Sequence, residues 1–460
     1  MSGRAPGLPP TVTPATRDDS RRVSLTLGLL FGIAGMGSSS AAIAVPLIAD
    51  DLAIGQGTAT WTISLYVLML AVTTAVYGRV SDLLGTRLPL LIGLGLMAGG
   101  ALMAALAPSF SVLLAARLLQ GAGAAAVPTL GVAIINGRYA GGVRGLALGR
   151  LAAMAAAVSC LGPLLGGLVE SWAGWRAVLA LPILGLLVVP FLWRALTDER
   201  SFARLDVVGA LLVAVSAAGF VLMVQSPSTG RVVLVAGIVL AVVGVPLSAA
   251  WVRRHPDGFL PLSVIQNPIV LRNAFAGASV PAGWFALLVA VPAVLLADGW
   301  APWQVGLLLV PSAVIALFVP RLTGPLMEAV GPTRALAFAA VVTTVALGVA
   351  ALGSALVWPA LLAVAVILVT VAFGVGQPAL SAAVADGVEP EVRGVALGVS
   401  TLVFLVGGSV GSAVVGGLGG VWGIGYGVLV LAVLPVGALA ALAPELLGRR
   451  EGAPVAVDTR

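Results

Sequence analysis

Three groups of residues in this sequence have types and spacings that can do work inside a membrane. Arg117 stands in an apolar stretch, with Gln120 and Gly121 just after it. A glycine–proline cluster, Gly162-Pro163-Leu-Leu-Gly166-Gly167, interrupts a second apolar run. Two acids recur in one frame: Asp82 between Gly78 and Gly85, followed by Arg87, and Glu328 between Gly324 and Gly331, followed by Arg334. A lone arginine at mid-membrane costs about 2.5–3.5 kcal/mol, so it faces a cavity or a partner. Proline inside a helix frees a carbonyl and bends the helix, and glycines four apart admit a second helix at close range. An acid in a tight turn can rest on a helix N-terminus.

Absent residues exclude other chemistry. All 24 basic residues are arginine, so a phosphate loop of the Walker type and lysine Schiff-base chemistry are both ruled out. One cysteine, Cys160, and one histidine, His255, leave no disulfide and no Cys/His metal site. No cofactor is expected, and no catalytic residues cluster in any one loop.

The elements that position these groups follow from composition. Of 460 residues, 60% are hydrophobic and only 9% charged, too few charges to cover a water-soluble domain of this size. Apolar runs long enough to span a bilayer recur from Val23 to Ala443. Met1–Arg22 is polar and proline-rich, and reads as a tail rather than a cleaved signal. The pattern predicts fourteen helices, at about 24–48, 59–78, 88–107, 110–136, 145–169, 175–196, 207–225, 231–252, 272–296, 303–322, 333–353, 359–385, 394–418 and 421–443. Arg117 is expected near the centre of helix 4. Arginines crowd the connections on one side, while the other side holds only Arg176 and Arg231. The positive-inside rule then puts both termini in the cytoplasm. The net charge of +6 is thus a topology signal, and no nucleic-acid partner is expected.

Internal repeats divide the chain. Val-Arg144-Gly-Leu-Ala-Leu-Gly opens helix 5, and Val-Arg393-Gly-Val-Ala-Leu-Gly opens helix 13. With the acid-bearing loops and the pair Gly166 and Gly416, the repeated positions are offset by 246 to 250 residues. The expected organisation is a tail (1–22), a six-helix bundle (23–200), a two-helix insert (201–256), a second six-helix bundle (257–447) and a second tail (448–460). Parallel repeats of this kind place a substrate site between the halves near mid-membrane.

These residues resemble the major facilitator superfamily over essentially Val23–Ala443. Gly78–Arg87 is similar to its signature loop after helix 2, Arg117–Gly121 to its helix 4 motif, and Gly162–Gly167 to its helix 5 motif of exporters. Fourteen helices resemble the drug:proton antiporters of that size, and Thr74–Arg87 and Gln120–Leu130 are especially similar to the 14-helix tetracycline exporters. The resemblance implies an all-α polytopic fold in the cell inner membrane, alternating access, export of drug-like molecules and exchange for protons. A monomer is expected. It implies that Asp82 braces the opposite half when the cytoplasmic gate is closed. The repeat then predicts that Asp82 docks at Arg393 and Glu328 at Arg144. For Arg117 it implies a proton relay or gate; the residue itself equally admits satisfaction by backbone carbonyls. Gln120 and Asn136 are candidates for its network.

One departure from the resemblance is chemical. All eighteen acids fall at helix ends, loops or tails, and Ser38-Ser39-Ser40, Ser159-Cys160 and Gly407-Gly408 stand where related exporters carry membrane acids. Proton antiport needs a group that binds and releases a proton. The alternative is a facilitator or uptake carrier without proton coupling. Asp50, Asp51, Glu170 or Asp386 would have to serve if protons are exchanged. Candidate cavity residues are Ser38, Ser39, Asn136, Trp284, Gln377 and Phe404, polar or aromatic groups in largely aliphatic helices.

Overall fold

The computed structural model describes residues 14–139, 141–196, 206–255, 262–389 and 392–447. Thirteen helical spans among them are long and apolar enough to cross a bilayer. One of these, Leu146–Leu192, has 47 residues. At 1.5 Å per residue it would measure about 70 Å, more than twice a hydrocarbon core. It is two crossings joined at Gly174, whose φ of 72° and ψ of 175° reverse the chain. The same left-handed geometry recurs at the helix-to-helix turns of Gly85, Gly230, Gly331 and Gly423. Only glycine adopts it without strain. The described chain therefore crosses fourteen times.

The crossings are α1 (Asp18–Asp51), α2 (Trp61–Leu84), α3 (Arg87–Ala105), α4 (Phe110–Arg138), α5 (141–173), α6 (175–195), α7 (Val207–Thr229), α8 (Arg231–Arg254), α9 (Pro268–Ala297), α10 (Pro302–Val330), α11 (Pro332–Leu356), α12 (Pro359–Asp386), α13 (Arg393–Trp422) and α14 (Ile424–Leu447). They correspond one to one with helices 1–14. The expected tail boundary is corrected. Helix begins at Pro14, and Asp19 anchors it by accepting from Arg138 (3.0 and 3.3 Å) and from the Tyr139 hydroxyl (2.6 Å). Proline suits a first helical turn because its missing N–H is not needed there. The rest of that tail, the second tail and the links 197–205 and 256–261 lie outside the described residues.

Packing groups α1–α6 with one another and α9–α14 with one another, and α7–α8 form a hairpin beside them. Helix α1 breaks at Ser40, between Pro14–Ser39 and Ala41–Asp51. Ser38 and Ser40 donate back to the carbonyls of Gly35 and Met36, and Pro46 lies nearly two turns further on. Serine back-bonding and proline both bend helices. This bend faces the Gly162 cluster of α5.

Candidate functional site

The glycine–proline cluster is a contact surface on two sides. Toward α1, a Cβ on Gly162 would lie 2.0 Å from Ser39 Oγ, and one on Gly166 would lie 3.0 Å from the Ser40 carbonyl oxygen. Ser39 in turn donates to the Ser159 carbonyl at 2.7 Å. Toward α10, a Cβ on Gly167 would lie 2.4 Å from the Pro302 carbonyl oxygen. From the other direction, a Cβ on Gly306 would lie 2.5 Å from Leu164 Cα and 2.6 Å from the Pro163 carbonyl oxygen. Backbone thus meets backbone between the first and second bundles, with no room for a methyl group. Pro163 is buried in this contact.

The same contact occurs a second time. Gly57 faces the Gly416 carbonyl oxygen, 2.4 Å from an added Cβ, and Gly416 faces Thr60 Oγ1 at 1.8 Å. The pairs Gly57/Gly306 and Gly167/Gly416 are each offset by 249 residues, the offset of the sequence repeat. Ser64 and Ser412 share a hydrogen bond at 3.0 Å, and Ser409 donates to the Ser64 carbonyl at 2.8 Å, extending the α2–α13 contact inward. Both glycine contacts lie at the arginine-poor end, which the positive-inside rule puts outside. The two bundles touch at this end. At the other end, Gly149, Gly324 and Gly398 face open space, and Arg144, Glu328 and Arg393 are exposed.

Arg117 lies elsewhere than the sequence frame predicts. Only seven residues separate it from Phe110, the outer start of α4, so it sits about 10 Å from that end, not at the centre. It is fully buried. Its Nε donates to the Thr62 carbonyl at 2.7 Å, one terminal nitrogen to the Gly37 carbonyl at 2.6 Å, and the other to Gln120 Oε1. Its guanidinium stacks 4.3 Å from the centre of the Tyr66 ring, and Tyr66 donates to the Ala34 carbonyl at 2.8 Å. Gln120 reaches Leu179 of α6 at 3.4 Å. Gly121 lets α4 approach the Tyr66 backbone, where a Cβ would lie 2.3 Å from the carbonyl oxygen. The helix 4 motif is therefore a clamp on α1, α2 and α6. Three acceptors and an aromatic face supply what a carboxylate would otherwise supply. Thr62 is two residues from Thr60, so the clamp adjoins the Gly57–Gly416 contact.

The remaining expected residues divide into three sets. Trp284 and Phe404 come together through Phe373, with ring centres 5.4 and 5.5 Å apart. Trp284 also lines a cavity of about 10 Å³ with Ser159, Cys160, Pro163 and Ser312, directly beneath the glycine cluster at the bundle interface. Ser39 is buried in the α1–α5 contact and Ser38 is buried beside it, whereas Asn136 and Gln377 are exposed. Arg87 donates to the Leu196 carbonyl at 3.3 Å and stacks 5.0 Å from the Trp193 ring, tying the signature loop to α6. The side chain of Asp82 and the surroundings of Gly78 lie outside what the structure describes. Glu328 and Arg144 form no ion pair with each other among the described residues. Of the acids considered for proton exchange, Asp51 is held by Arg176 at 2.8 Å and by Trp175 Nε1 at 3.1 Å.

Gly57, Thr60, Gly306 and Tyr66 were not singled out by motif reading. The signal for Gly57 and Gly306 was available, because both fit the repeat offset and each stands one or two residues after a glutamine, Gln56 or Gln304.

Comparison with known proteins places this architecture. The family model for the Major Facilitator Superfamily matches residues 27–205. A methylenomycin A resistance protein of Streptomyces coelicolor is 30% identical over 378 residues, covering 78% of this chain and 77% of the relative. The chain belongs to the major facilitator superfamily. Within that superfamily it is a multi-pass protein of the cell membrane. It is also 29% identical over 301 residues to a multidrug resistance protein, Stp, of Mycobacterium tuberculosis, covering 63% of this chain and 55% of that one. A cephamycin export protein, CmcT, of Amycolatopsis lactamdurans is 30% identical over 298 residues, with 60% and 59% covered. The chain spans about half, 55%, of the length of the mycobacterial relatives.

Proposed function

We propose that this chain is a secondary exporter of amphiphilic, drug-like molecules, working by alternating access between two six-helix bundles. The observation that carries the reading is the Gly162–Gly167 cluster, which meets α10 backbone to backbone at the outer end. A seal built on glycine alone has no side chains to rearrange, so it opens and closes as rigid bodies part. The names of the relatives, which refer to multidrug resistance, methylenomycin resistance and cephamycin export, support a drug-like substrate. Trp284, Phe373 and Phe404 offer an adaptable apolar wall. With no acid in the helix interiors, that wall favours neutral, zwitterionic or anionic amphiphiles over cations.

Exchange for protons is the coupling that the family resemblance implies. A second reading, an uncoupled facilitator, is favoured by two observations. Every acid within a described helix lies within five residues of a helix end or of the Gly174 reversal. Arg117 is satisfied by carbonyls, a glutamine and a tyrosine face without any acid. A susceptibility panel in an efflux-deficient host, repeated with an uncoupler, separates the readings. Export predicts raised resistance to at least one amphiphilic antibiotic, and proton antiport predicts its loss with the uncoupler. Resistance that survives the uncoupler supports the facilitator. Unchanged resistance across the panel, with cells accumulating a metabolite instead, would reject export.

A further inference from the structure

Helix α7 is not a passive neighbour. It lies along the seam between α2 and α13, where Ala210 and Val221 pack with Trp61, Leu68 and Val72 on one side and Leu402 and Ala413 on the other. Helix α8 backs it from the lipid side. Ser216 and Ser248 share a hydrogen bond at 3.1 Å, and Trp251 Nε1 donates to the Asp206 carboxylate at 3.1 and 3.2 Å. The outer end of α7 reaches the gate itself. Gln225 is fully buried, and its Nε2 donates to the Gly57 carbonyl at 3.0 Å and to Thr60 Oγ1 at 2.7 Å. Toward α13 the contacts are of a different kind. A Cβ on Gly417 would lie 2.4 Å from the Val224 carbonyl oxygen, and one on Gly420 would lie 3.3 Å from Ser228 Cβ. No hydrogen bond joins α7 to α13 among the described residues.

We propose that α7 is a strap over one side of the outer gate, tied by Gln225 to the first bundle, so that outward opening parts α7 from α13. The proposal rests on the alternating-access reading. Its physical basis is the difference between the two sides of the strap. On the α2 side, parting would break two buried hydrogen bonds and leave the Gly57 carbonyl without a donor from Gln225. On the α13 side, parting breaks only close packing, which lipid or water replaces. The strap also makes the two repeat-related gate contacts unequal. Gly57–Gly416 is covered by α7, while among the described residues no helix of the α7–α8 hairpin packs closely on Gly306–Leu164.

The test uses the full chain with Cys160→Ala, so that introduced thiols are the only ones. Ser228→Cys is labelled in whole cells with a membrane-impermeant maleimide, with and without Gln225→Leu. Loss of two hydrogen bonds at the closed gate is expected to speed labelling about tenfold or more. In a second arm, Ser228→Cys with Gly420→Cys is oxidised to a disulfide, since the Cβ separation at this pair is close to that of a disulfide. The strap predicts that the disulfide abolishes resistance to tetracycline, methylenomycin A or a cephamycin, and that a reductant restores it. Equal labelling rates together with full resistance in the oxidised pair would overturn the strap. If the reduced pair and its parent confer no resistance to any of the three, the export reading fails, and the labelling arm alone decides the strap.

Discussion

Adding one methyl group at Gly306 is the sharpest perturbation of the outer seal. The Cβ of alanine would lie 2.5 Å from Leu164 Cα and 2.6 Å from the Pro163 carbonyl oxygen. Ordinary contacts at such atoms are about 3.5 Å or longer, so the two backbones must retreat by roughly 1 Å. Both partners are helix backbone, and no flexible side chain can yield. Overpacking of this kind costs about 1–3 kcal/mol. The cost falls only on the closed outer gate, because the two helices separate when it opens. At about 1.4 kcal/mol per factor of ten, the outward-open population rises about 5- to 150-fold. Val415, buried and lining the outer cavity beside Gly416 and Gly57, is the reporter. With Val415→Cys in the Cys160→Ala background, labelling by an impermeant maleimide in whole cells should accelerate by that factor on Gly306→Ala. Gly57→Ala should do the same, since its Cβ would lie 2.4 Å from the Gly416 carbonyl oxygen. Unchanged labelling in both variants, at unchanged melting temperature, would refute the seal.

Other outcomes follow from the same geometry. Arg117→Ala leaves the Thr62 and Gly37 carbonyls and Gln120 Oε1 without their donor, so it should destabilise by about 3–5 kcal/mol, read as a large drop in melting temperature in detergent. Arg117→Lys cannot span all three acceptors and should restore only part of that stability. Ser409→Ala removes one hydrogen bond to Ser64 across the seam and should weaken outer closure by about 1 kcal/mol, seen as several-fold faster labelling of Val415→Cys. Gly174→Ala forces a φ of 72° on a residue with a Cβ and should cost about 1–2 kcal/mol of thermal stability without altering labelling of the gate. Asp51→Asn should leave export and its response to an uncoupler unchanged, because the carboxylate is engaged by Arg176 and Trp175.

Much of the fold was legible because hydrophobic runs and arginine placement follow directly from the bilayer as solvent. Fourteen crossings could be read from periodic apolar length, and the Gly174 reversal is where the sequence placed the gap between helices 5 and 6. The motif glycines were legible for the same reason: a Gly-Pro cluster inside an apolar helix has few other uses. Arg117 was misplaced in depth although the helix start at Phe110 was itself legible: seven residues into a helix of 29, a side chain lies near the outer end and not at the centre. Its partners were not readable either, since backbone carbonyls of Gly37 and Thr62 leave no mark in side-chain identity. The inter-bundle contacts of Gly57 and Gly306 needed the repeat offset to be carried beyond the charged motifs. Gln225 is a polar residue in an apolar helix, but its partners, Gly57 and Thr60, come only from the folding of α7 against the start of α2.

The central claim is that glycine backbone contacts between α5 and α10 close an export pathway at its outer end. Accumulation of labelled tetracycline, methylenomycin A or a cephamycin in efflux-deficient cells tests it most directly, comparing the parent chain with Gly306→Ala and Gly167→Ala at matched expression. The account predicts that cells with the parent chain accumulate less of at least one compound than cells without it, and that either alanine abolishes the difference. Equal accumulation with and without the parent chain, or undiminished extrusion by both alanine variants, would contradict it.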